Sequence, residues 1–276
     1  MVRRTQRCEG RVSELHLVVL ALVQGITEFL PISSSGHLIL VPMLTGWPDQ
    51  GLMFDVAVHV GTLGAVLLYF RRDVWHMLAG VARWIGGRRN PGAGLALLIV
   101  VATVPVVAAG AGLKYVGTDG LRNITVIGWT TLGFGVVLFA VDRWCLTVRR
   151  IEHMPVASAF AIGLAQVLAL VPGTSRSGIT MTAARALGYE RQEAARFSLL
   201  LSIPVIIAAG ALEGLELYET GDAGLTADVV FATALAFVSA LAAIGFLMKW
   251  LRRASFTPFV IYRVGLGAYL LWLAYG

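Results

Sequence analysis

The chain has 276 residues, of which 57% are apolar and only 14% are charged. Soluble domains carry about 25% charged residues, so this composition and a mean hydropathy of +0.77 exclude an ordinary soluble domain. The net charge of +6 comes almost entirely from arginines in short stretches between apolar runs, which suits membrane topology and anionic headgroups rather than nucleic acid. We therefore predict an all-α polytopic membrane protein with a single domain, residues 1–276.

Six apolar segments are long enough to cross the roughly 30 Å of bilayer hydrocarbon as helices. The predicted spans are residues 52–70, 94–113, 121–141, 193–212, 227–251 and 256–275. Two further apolar segments, 12–46 and 156–188, are each interrupted by a loop rich in Ser and Gly that contains a Pro. The second arm of each is too short for a full crossing. We predict that both form re-entrant helical hairpins, which enter the membrane and return to the same side.

Basic residues concentrate in four connections between the apolar segments: 71–89, 143–150, 185–196 and 249–253. Cytoplasmic loops hold the excess of Lys and Arg in membrane proteins, so these four connections are predicted to lie inside. The acidic connection 213–228 contains no basic residue and is predicted to lie outside. Six crossings satisfy all of these assignments, and they open the first hairpin to the outside. The N-terminal arginines at 3, 4, 7 and 11 would by the same rule prefer the inside, and the four later connections are given more weight.

The two hairpin loops share residues at one constant offset: Gln24, Ser33, Ser35 and Gly36 match Gln166, Ser175, Ser177 and Gly178. Each copy heads a hairpin followed by three crossings. Because three is odd, the second copy must be inverted in the membrane. We predict an inverted repeat, at about residues 12–141 and 156–275, whose broken helices meet and build one site from both loops.

The first loop combines a carboxylate, hydroxyls and an imidazole. Gln24 and Glu28 are four residues apart and share a helical face. Carboxylates inside a membrane usually face a protein interior or a water cavity, and they are functional by default. The hydroxyls and the imidazole follow at Ser33, Ser34, Ser35 and His37. Helix capping would explain any single serine, but the whole set is typical of a site that activates a serine or a water for attack.

The second loop has the features of an anion cradle. Its glycines allow close backbone approach, and the start of the next helix offers unpaired N–H groups. Arg176 supplies a planar charged fork that suits phosphate oxygens. The surrounding candidates are Gly173, Ser175, Ser177 and Thr180. A structural ion pair between Arg176 and Glu28 is the alternative, and either interpretation brings the two loops together.

Four other polar residues lie outside these two loops or at their margins. Asp55 and His59 form a second pair four residues apart, near the outer end of the first span, and a site role for them is left open. Arg185 is expected to be an interfacial arginine. His16, at the end of an apolar segment, is expected to be solvated.

Two runs, QGITEFLPISSSGH at 24–37 and PGTSRSG at 172–178, resemble the signature motifs of the undecaprenyl-diphosphate phosphatase family, also called bacitracin-resistance proteins. The resemblance extends over nearly the whole chain, including FDVAVHVGT at 54–62 and FTPFVIYR at 256–263. It implies an inner-membrane hydrolase that converts undecaprenyl diphosphate to undecaprenyl phosphate and inorganic phosphate. Such an enzyme recycles the lipid carrier for cell-wall synthesis and confers bacitracin resistance.

The resemblance also implies particular roles. The residues that it implies for catalysis are Glu28, Ser34, His37 and Arg176. Substrate binding is expected of Gln24, Ser33, Ser35, Gly173, Ser175, Ser177 and Thr180. A divalent cation, Mg2+ or Ca2+, is implied, with Glu28 as its candidate ligand. Gln24 stands where many members have a second glutamate, which argues against a metal site with two carboxylates.

These assignments suggest a mechanism with two variants. Ser34 attacks the terminal phosphorus with Glu28 as base or metal ligand, while Arg176 and the loop N–H groups neutralise the diphosphate. His37 then protonates the departing lipid phosphate or activates the water that resolves the phosphoserine. In the second variant water attacks directly, and Ser34 only donates a hydrogen bond.

Two other functions share some of these sequence features. A polyprenyl-phosphate transporter or flippase is the alternative, because inverted repeats with broken helices are common in transporters. A phosphatidic-acid-type phosphatase is rejected, because it needs a histidine downstream of its Ser-Arg pair and none follows His153. The expected partners are a polyprenyl diphosphate and membrane lipids, without nucleic acid, and a homodimer is left open. The site is expected to be accessible from the extracytoplasmic side.

Overall fold

A computed structural model of the chain describes residues 14–47, 52–88, 90–116, 119–121, 123–145, 148–220 and 227–276. Five predicted segments lie partly outside the described residues: the first hairpin (12–13), the third span (122), two basic connections (89 and 146–147) and the acidic connection (221–226). The helices are α1 (Glu14–Thr27), α2 (Ser34–Thr45), α3 (Leu52–Tyr69), α4 (Arg71–Ile85), α5 (Pro91–Val116), α6 (Ile124–Trp144), α7 (Val156–Gln166), α8 (Arg176–Ala186), α9 (Arg191–Thr220), α10 (Ala227–Trp250) and α11 (Thr257–Tyr275).

Six helices in the described part of the chain are long and apolar enough to cross a membrane. They cover Leu52–Tyr69, Pro91–Leu113, Ile124–Trp144, Arg191–Leu215, Ala227–Trp250 and Thr257–Tyr275. Every end lies within three residues of the corresponding prediction. The predicted all-α, multi-pass membrane protein is therefore confirmed.

The two interrupted segments form pairs of short helices, α1 with α2 and α7 with α8. A short 3-10 turn, Val167–Leu170, extends α7 towards its loop. The second helix of each pair begins after a serine with a left-handed backbone, Ser33 at φ 76° and Ser175 at φ 72°, and these are the described residues other than glycine with positive φ. Each serine Oγ accepts a hydrogen bond from the N–H three residues later, at Gly36 and Gly178. Such backbone strain clusters at functional sites.

Helix packing follows the same plan in both halves. Helix α1 packs on α10 while α7 packs on α5, and α3 packs on α10 while α9 packs on α5. Helices α6 and α11, the last span of each half, pack on each other. This pairing is what a two-fold relation between the halves requires. The exact boundaries of the repeats stay a prediction.

Small residues allow these helices to approach closely, as is usual between membrane helices. A Cβ added at Gly61 of α3 would lie 2.3 Å from the Thr233 carbonyl oxygen of α10. A Cβ at Gly163 of α7 would lie 2.4 Å from the Ala102 carbonyl oxygen of α5. The contact at Gly61 joins two spans, and the contact at Gly163 holds the first arm of the second hairpin against a span.

The connection at 71–89 differs from the sequence-based expectation, because it contains the helix α4. Apolar residues recur every three or four positions along it, which is the pattern of an amphipathic helix and not of a span. Gly80 packs against the start of α5, where an added Cβ would lie 2.4 Å from the Ala93 nitrogen. Trp75 and Trp84 are exposed, and an ion pair from Arg196 to Asp73 ties α4 to α9.

Two minor expectations are wrong. Arg185 is buried rather than interfacial, and its Nε donates to the Asp142 carboxylate at 2.9 Å. The same carboxylate accepts a hydrogen bond from Arg191, so Asp142 draws both arginines inward. His16 is also buried, with its ring 4.5 Å from the ring of Trp47.

Candidate active site

Glu28 is the centre of a hydrogen-bonded cluster that joins the two loops. One carboxylate oxygen, Oε2, accepts a 2.6 Å bond from Ser34 Oγ and a 3.1 Å bond from Gln24 Nε2. The other, Oε1, accepts a 3.1 Å bond from Arg176 Nη2 of the second loop. Glu28 is buried. The structure therefore brings together Gln24, Glu28, Ser34 and Arg176, as the sequence predicted.

Local chain geometry explains how these groups meet. Glu28 lies just beyond the end of α1, where its N–H still bonds to the Gln24 carbonyl. The strained turn at Ser33 starts α2 directly, and this places Ser34 back against Glu28. Arg176 is the first residue of α8, so its side chain leaves a helix N-terminus, where unpaired N–H groups and the helix dipole favour an anion.

Helix α9 also contacts the Arg176 guanidinium. The other guanidinium nitrogen, Nη1, donates to the Ser198 carbonyl at 3.3 Å. Thr180 Oγ1 bonds to the Arg176 carbonyl at 2.8 Å and to Ser198 Oγ at 2.6 Å. Thr180 thus stabilises the first turn of α8. Sequence reasoning missed Ser198, because a serine within an apolar span carries no motif.

Several residues predicted to bind substrate make structural contacts in the loops. Ser177 Oγ donates to the Leu30 carbonyl of the first loop at 2.8 Å. Ser175 Oγ lies 3.2 Å from Ser177 Oγ, and Ser33 Oγ lies 3.4 Å from Ser35 Oγ. Substrate contact by these side chains stays a prediction, and their observed contacts shape the loops.

Gly173 is needed for close approach between the second loop and α6. Its φ is +87°, and an added Cβ would lie 2.2 Å from Thr130 Oγ1. The same hydroxyl donates to the Pro172 carbonyl at 2.7 Å. Any side chain at position 173 would therefore push the loop away from α6.

His37 lies beside the cluster but is bonded elsewhere. Its Nδ1 is 2.6 Å from the Ser33 carbonyl oxygen, and its Nε2 is 2.5 Å from Tyr262 Oη. Because a carbonyl only accepts, Nδ1 carries the proton, and in a neutral imidazole Nε2 accepts from the tyrosine. The sequence predicted His37 but not Tyr262, which comes from the last span.

Arg263, the residue after Tyr262, was also missed. It is completely buried, and it bonds to carbonyl groups of both loops and of α6. An arginine within an otherwise apolar span is a signal that sequence reasoning could have used.

The set of donors for a divalent cation is small. The described residues contain no group of three or more His, Cys, Asp or Glu that could hold a metal ion. Glu28 offers a carboxylate, and the neighbouring Gln24 Oε1 is buried with no hydrogen-bond partner in the structure. His59 is close enough to interact with the charge of Glu28, while its own Nδ1 bonds to the Asp55 carbonyl at 2.7 Å. The Glu28 carboxylate and Gln24 Oε1 fit a hard cation that takes most of its ligands from phosphate and water.

The chain is similar to known proteins over the whole region that contains both loops. The family model described as "Bacitracin resistance protein BacA" matches residues 17–269. The chain is 56% identical over 266 residues to the undecaprenyl-diphosphatase of Ruegeria pomeroyi, covering 96% of this chain and 100% of that protein. It is 54% identical over 268 residues to undecaprenyl-diphosphatase 1 of Rhodospirillum rubrum, covering 95% of each. The undecaprenyl-diphosphatase of Hahella chejuensis is 52% identical over 261 residues, covering 94% of this chain and 98% of that protein.

Proposed function

This chain belongs to the bacitracin resistance protein BacA family, and we propose that it hydrolyses undecaprenyl diphosphate to undecaprenyl phosphate and inorganic phosphate at the junction of its two loops. It is a hydrolase that acts on a phosphorus-containing anhydride, and its substrate is a polyprenyl diphosphate lipid. The single observation that carries the site assignment is the bonding of Glu28 to both Ser34 and Arg176. That bonding brings a hydroxyl, a carboxylate and a guanidinium into one buried cluster, which supports these three groups as the reacting site.

The first step uses the short contact between Ser34 and Glu28. When Ser34 Oγ attacks the terminal phosphorus, its proton passes to Glu28 Oε2, to which it is already bonded at 2.6 Å. The new bond is between Ser34 Oγ and phosphorus. The bond that breaks joins phosphorus to the bridging oxygen, which leaves with its electron pair on undecaprenyl phosphate. Arg176 and the N–H groups at the start of α8 stabilise the negative charge of the transferring phosphoryl group.

The second step returns the serine to its starting state. Water attacks phosphorus and gives a proton to a second base, the bond between phosphorus and Ser34 Oγ breaks, and Glu28 returns its proton to Ser34 Oγ as inorganic phosphate leaves. His37 is the candidate to take this proton at Nε2, the nitrogen bonded to Tyr262 in the free protein, or to protonate the lipid phosphate that departs in the first step. Direct attack by water, with Ser34 only donating a hydrogen bond, is the variant that phosphoserine trapping would distinguish.

A divalent cation, Mg2+ or Ca2+, completes the proposal. Glu28 and Gln24 Oε1 would hold it, with substrate phosphate and water supplying its other ligands. When bound, it would neutralise part of the diphosphate charge.

The multi-pass protein is proposed to reside in the bacterial inner membrane, with the site open to the extracytoplasmic side. Support comes from the arginine-rich connections, all of which lie on the opposite side from the opening of the first hairpin in the predicted topology. A homodimer stays a prediction. Transport of a polyprenyl phosphate is the less favoured alternative, because the relatives named above are diphosphatases and the cluster contains an activated hydroxyl that transport does not require.

The test is phosphate release from undecaprenyl diphosphate by the detergent-purified protein, together with the Ser34→Ala and Arg176→Ala variants. We expect rapid release by the unmodified protein and its loss in both variants. Rapid quenching of the wild-type reaction should trap phosphate on Ser34. An intact protein that binds the lipid without releasing phosphate would contradict hydrolysis and bring the transporter alternative forward.

A further inference from the structure

Arg263 is a buried charge without a carboxylate partner in the described part of the chain. It lies in α11, a membrane span, and its side chain is completely buried. Burying a guanidinium is costly unless its donors are satisfied. All of its hydrogen bonds to described residues go to backbone carbonyl oxygens. A charge kept under these conditions needs a reason other than packing.

The carbonyl partners come from three separate parts of the chain. Nη1 donates to the Pro31 carbonyl of the first loop at 3.3 Å. Nη2 donates to the Gly173 and Thr174 carbonyls of the second loop at 3.1 and 2.9 Å. Nε donates to the Thr131 carbonyl of α6 at 3.1 Å. One side chain therefore joins both loops to a span.

The neighbouring helices leave room for this guanidinium. A Cβ added at Gly178 of α8 would lie 2.8 Å from Arg263 Nη1, and one added at Gly135 of α6 would lie 3.0 Å from Arg263 Cβ. Both glycines therefore permit an approach that other residues would obstruct.

Holding these carbonyls also orients the opposite edge of the loop. In a trans peptide the N–H points away from the C=O. Fixing the Thr174 carbonyl on Arg263 therefore directs the Ser175 N–H away from Arg263, at the turn that starts α8. The strained φ of Ser33 and Ser175 persists only where surrounding contacts determine it, and Arg263 supplies such a contact to both loops.

We propose that Arg263 is a positioning residue that clamps the two loops together and keeps Ser34, Glu28 and Arg176 aligned. It acts through the loops and does not touch the substrate. The kinetic part of this inference rests on the proposed function, whereas the clamp itself does not. Lysine keeps the charge but lacks the planar fork with five donors, so Arg263→Lys should loosen the loops in a folded protein.

The experiment combines hydrogen–deuterium exchange with steady-state kinetics on detergent-purified Arg263→Lys and Arg263→Met. Exchange should rise in peptides from both loops, 29–36 and 171–178, and stay as in wild type in the other helices. kcat should fall by about 10²-fold, as for a misplacement near 1 Å, with little change in KM. Arg185→Lys is the matched control, because Arg185 is equally buried but bonds near the opposite end of α8. It should not loosen both loops.

The outcomes are separable. Exchange that rises throughout the protein would reduce Arg263 to a general stabilising residue and overturn the proposal. A fall in kcat without loop exchange, or no change in either, would also overturn it. If the wild-type protein releases no phosphate, the proposed function fails, and the exchange data still decide whether Arg263 clamps the loops.

Discussion

Arg176 and Glu28 are 148 residues apart in sequence, yet they form a 3.1 Å ion pair that is largely shielded from solvent. This pair is the contact that converts two separate loops into one cluster. An unpaired buried charge is strongly unfavourable, so each residue depends on the other until an anionic substrate arrives. A diphosphate that reaches the cluster can take over the bonds of Arg176, which leaves the Glu28 carboxylate available to Ser34.

Glu28→Gln should lower phosphate release by about 10²–10⁴-fold, the range for loss of a general base. The amide keeps the size of the side chain but cannot accept the Ser34 proton. Initial rates of phosphate release in detergent give the measurement. Glu190→Gln makes the same change in an exposed ion pair with Arg150 and should leave the rate unchanged. A Glu28→Gln enzyme with wild-type activity would remove Glu28 from the mechanism.

Asp142→Asn should destabilise the protein by about 3–5 kcal/mol, the cost of breaking a buried ion pair. Asp142 accepts hydrogen bonds from both Arg185 and Arg191, and its loss leaves two positive charges side by side. Thermal unfolding in detergent measures the effect, and activity per folded molecule should persist. Arg150→Ala, which disrupts only an exposed pair, should shift the midpoint little. An unchanged midpoint in Asp142→Asn would show that the network does not stabilise the fold.

The spans and both loops could be predicted because their signals are local. A span needs only an apolar run of sufficient length, and each of the six runs has at least 18 residues. The loops repeat the same serines and glycine, and the strained caps at Ser33 and Ser175 follow that repeat. Helix α4 was not predicted because its apolar residues cover only one face. The mean hydropathy over its length is therefore no higher than that of a loop.

The supporting residues could not be predicted because their roles depend on tertiary contacts. Ser198, Tyr262 and Arg263 lie on α9 and α11, far in sequence from the groups they hold. Arg185 looked interfacial because a helix end near other arginines usually is. Its partner, Asp142, is 43 residues away.

Tyr262→Phe should lower kcat by about 10-fold, because the phenol acts on catalysis through His37. General acid–base catalysis contributes about 10²–10⁴-fold in all, and we expect loss of the tyrosine to remove only a small share of it. The phenol is 2.5 Å from His37 Nε2, and the rings stack with centroids 5.7 Å apart. If Tyr262 acts only through the imidazole, adding Tyr262→Phe to His37→Gln should cause no further loss. Tyr269→Phe, on the same helix, should be additive with His37→Gln. Additive effects of Tyr262→Phe and His37→Gln on kcat would show that the two residues act independently, which would contradict this prediction.

Gln24→Leu should raise the Mg2+ concentration needed for half-maximal activity, and chelation should lower the rate of the wild-type enzyme. The amide Nε2 bonds to Glu28 while Oε1 is buried with no hydrogen-bond partner among the described residues, so Gln24 offers an oxygen beside the carboxylate. Gln166→Leu is the matched control at the repeat-related position, where Nε2 bonds to the Ala102 carbonyl instead. Its Mg2+ dependence should match wild type. Equal Mg2+ dependence in Gln24→Leu and wild type would exclude Gln24 as a ligand, and full activity after chelation would exclude the cation itself.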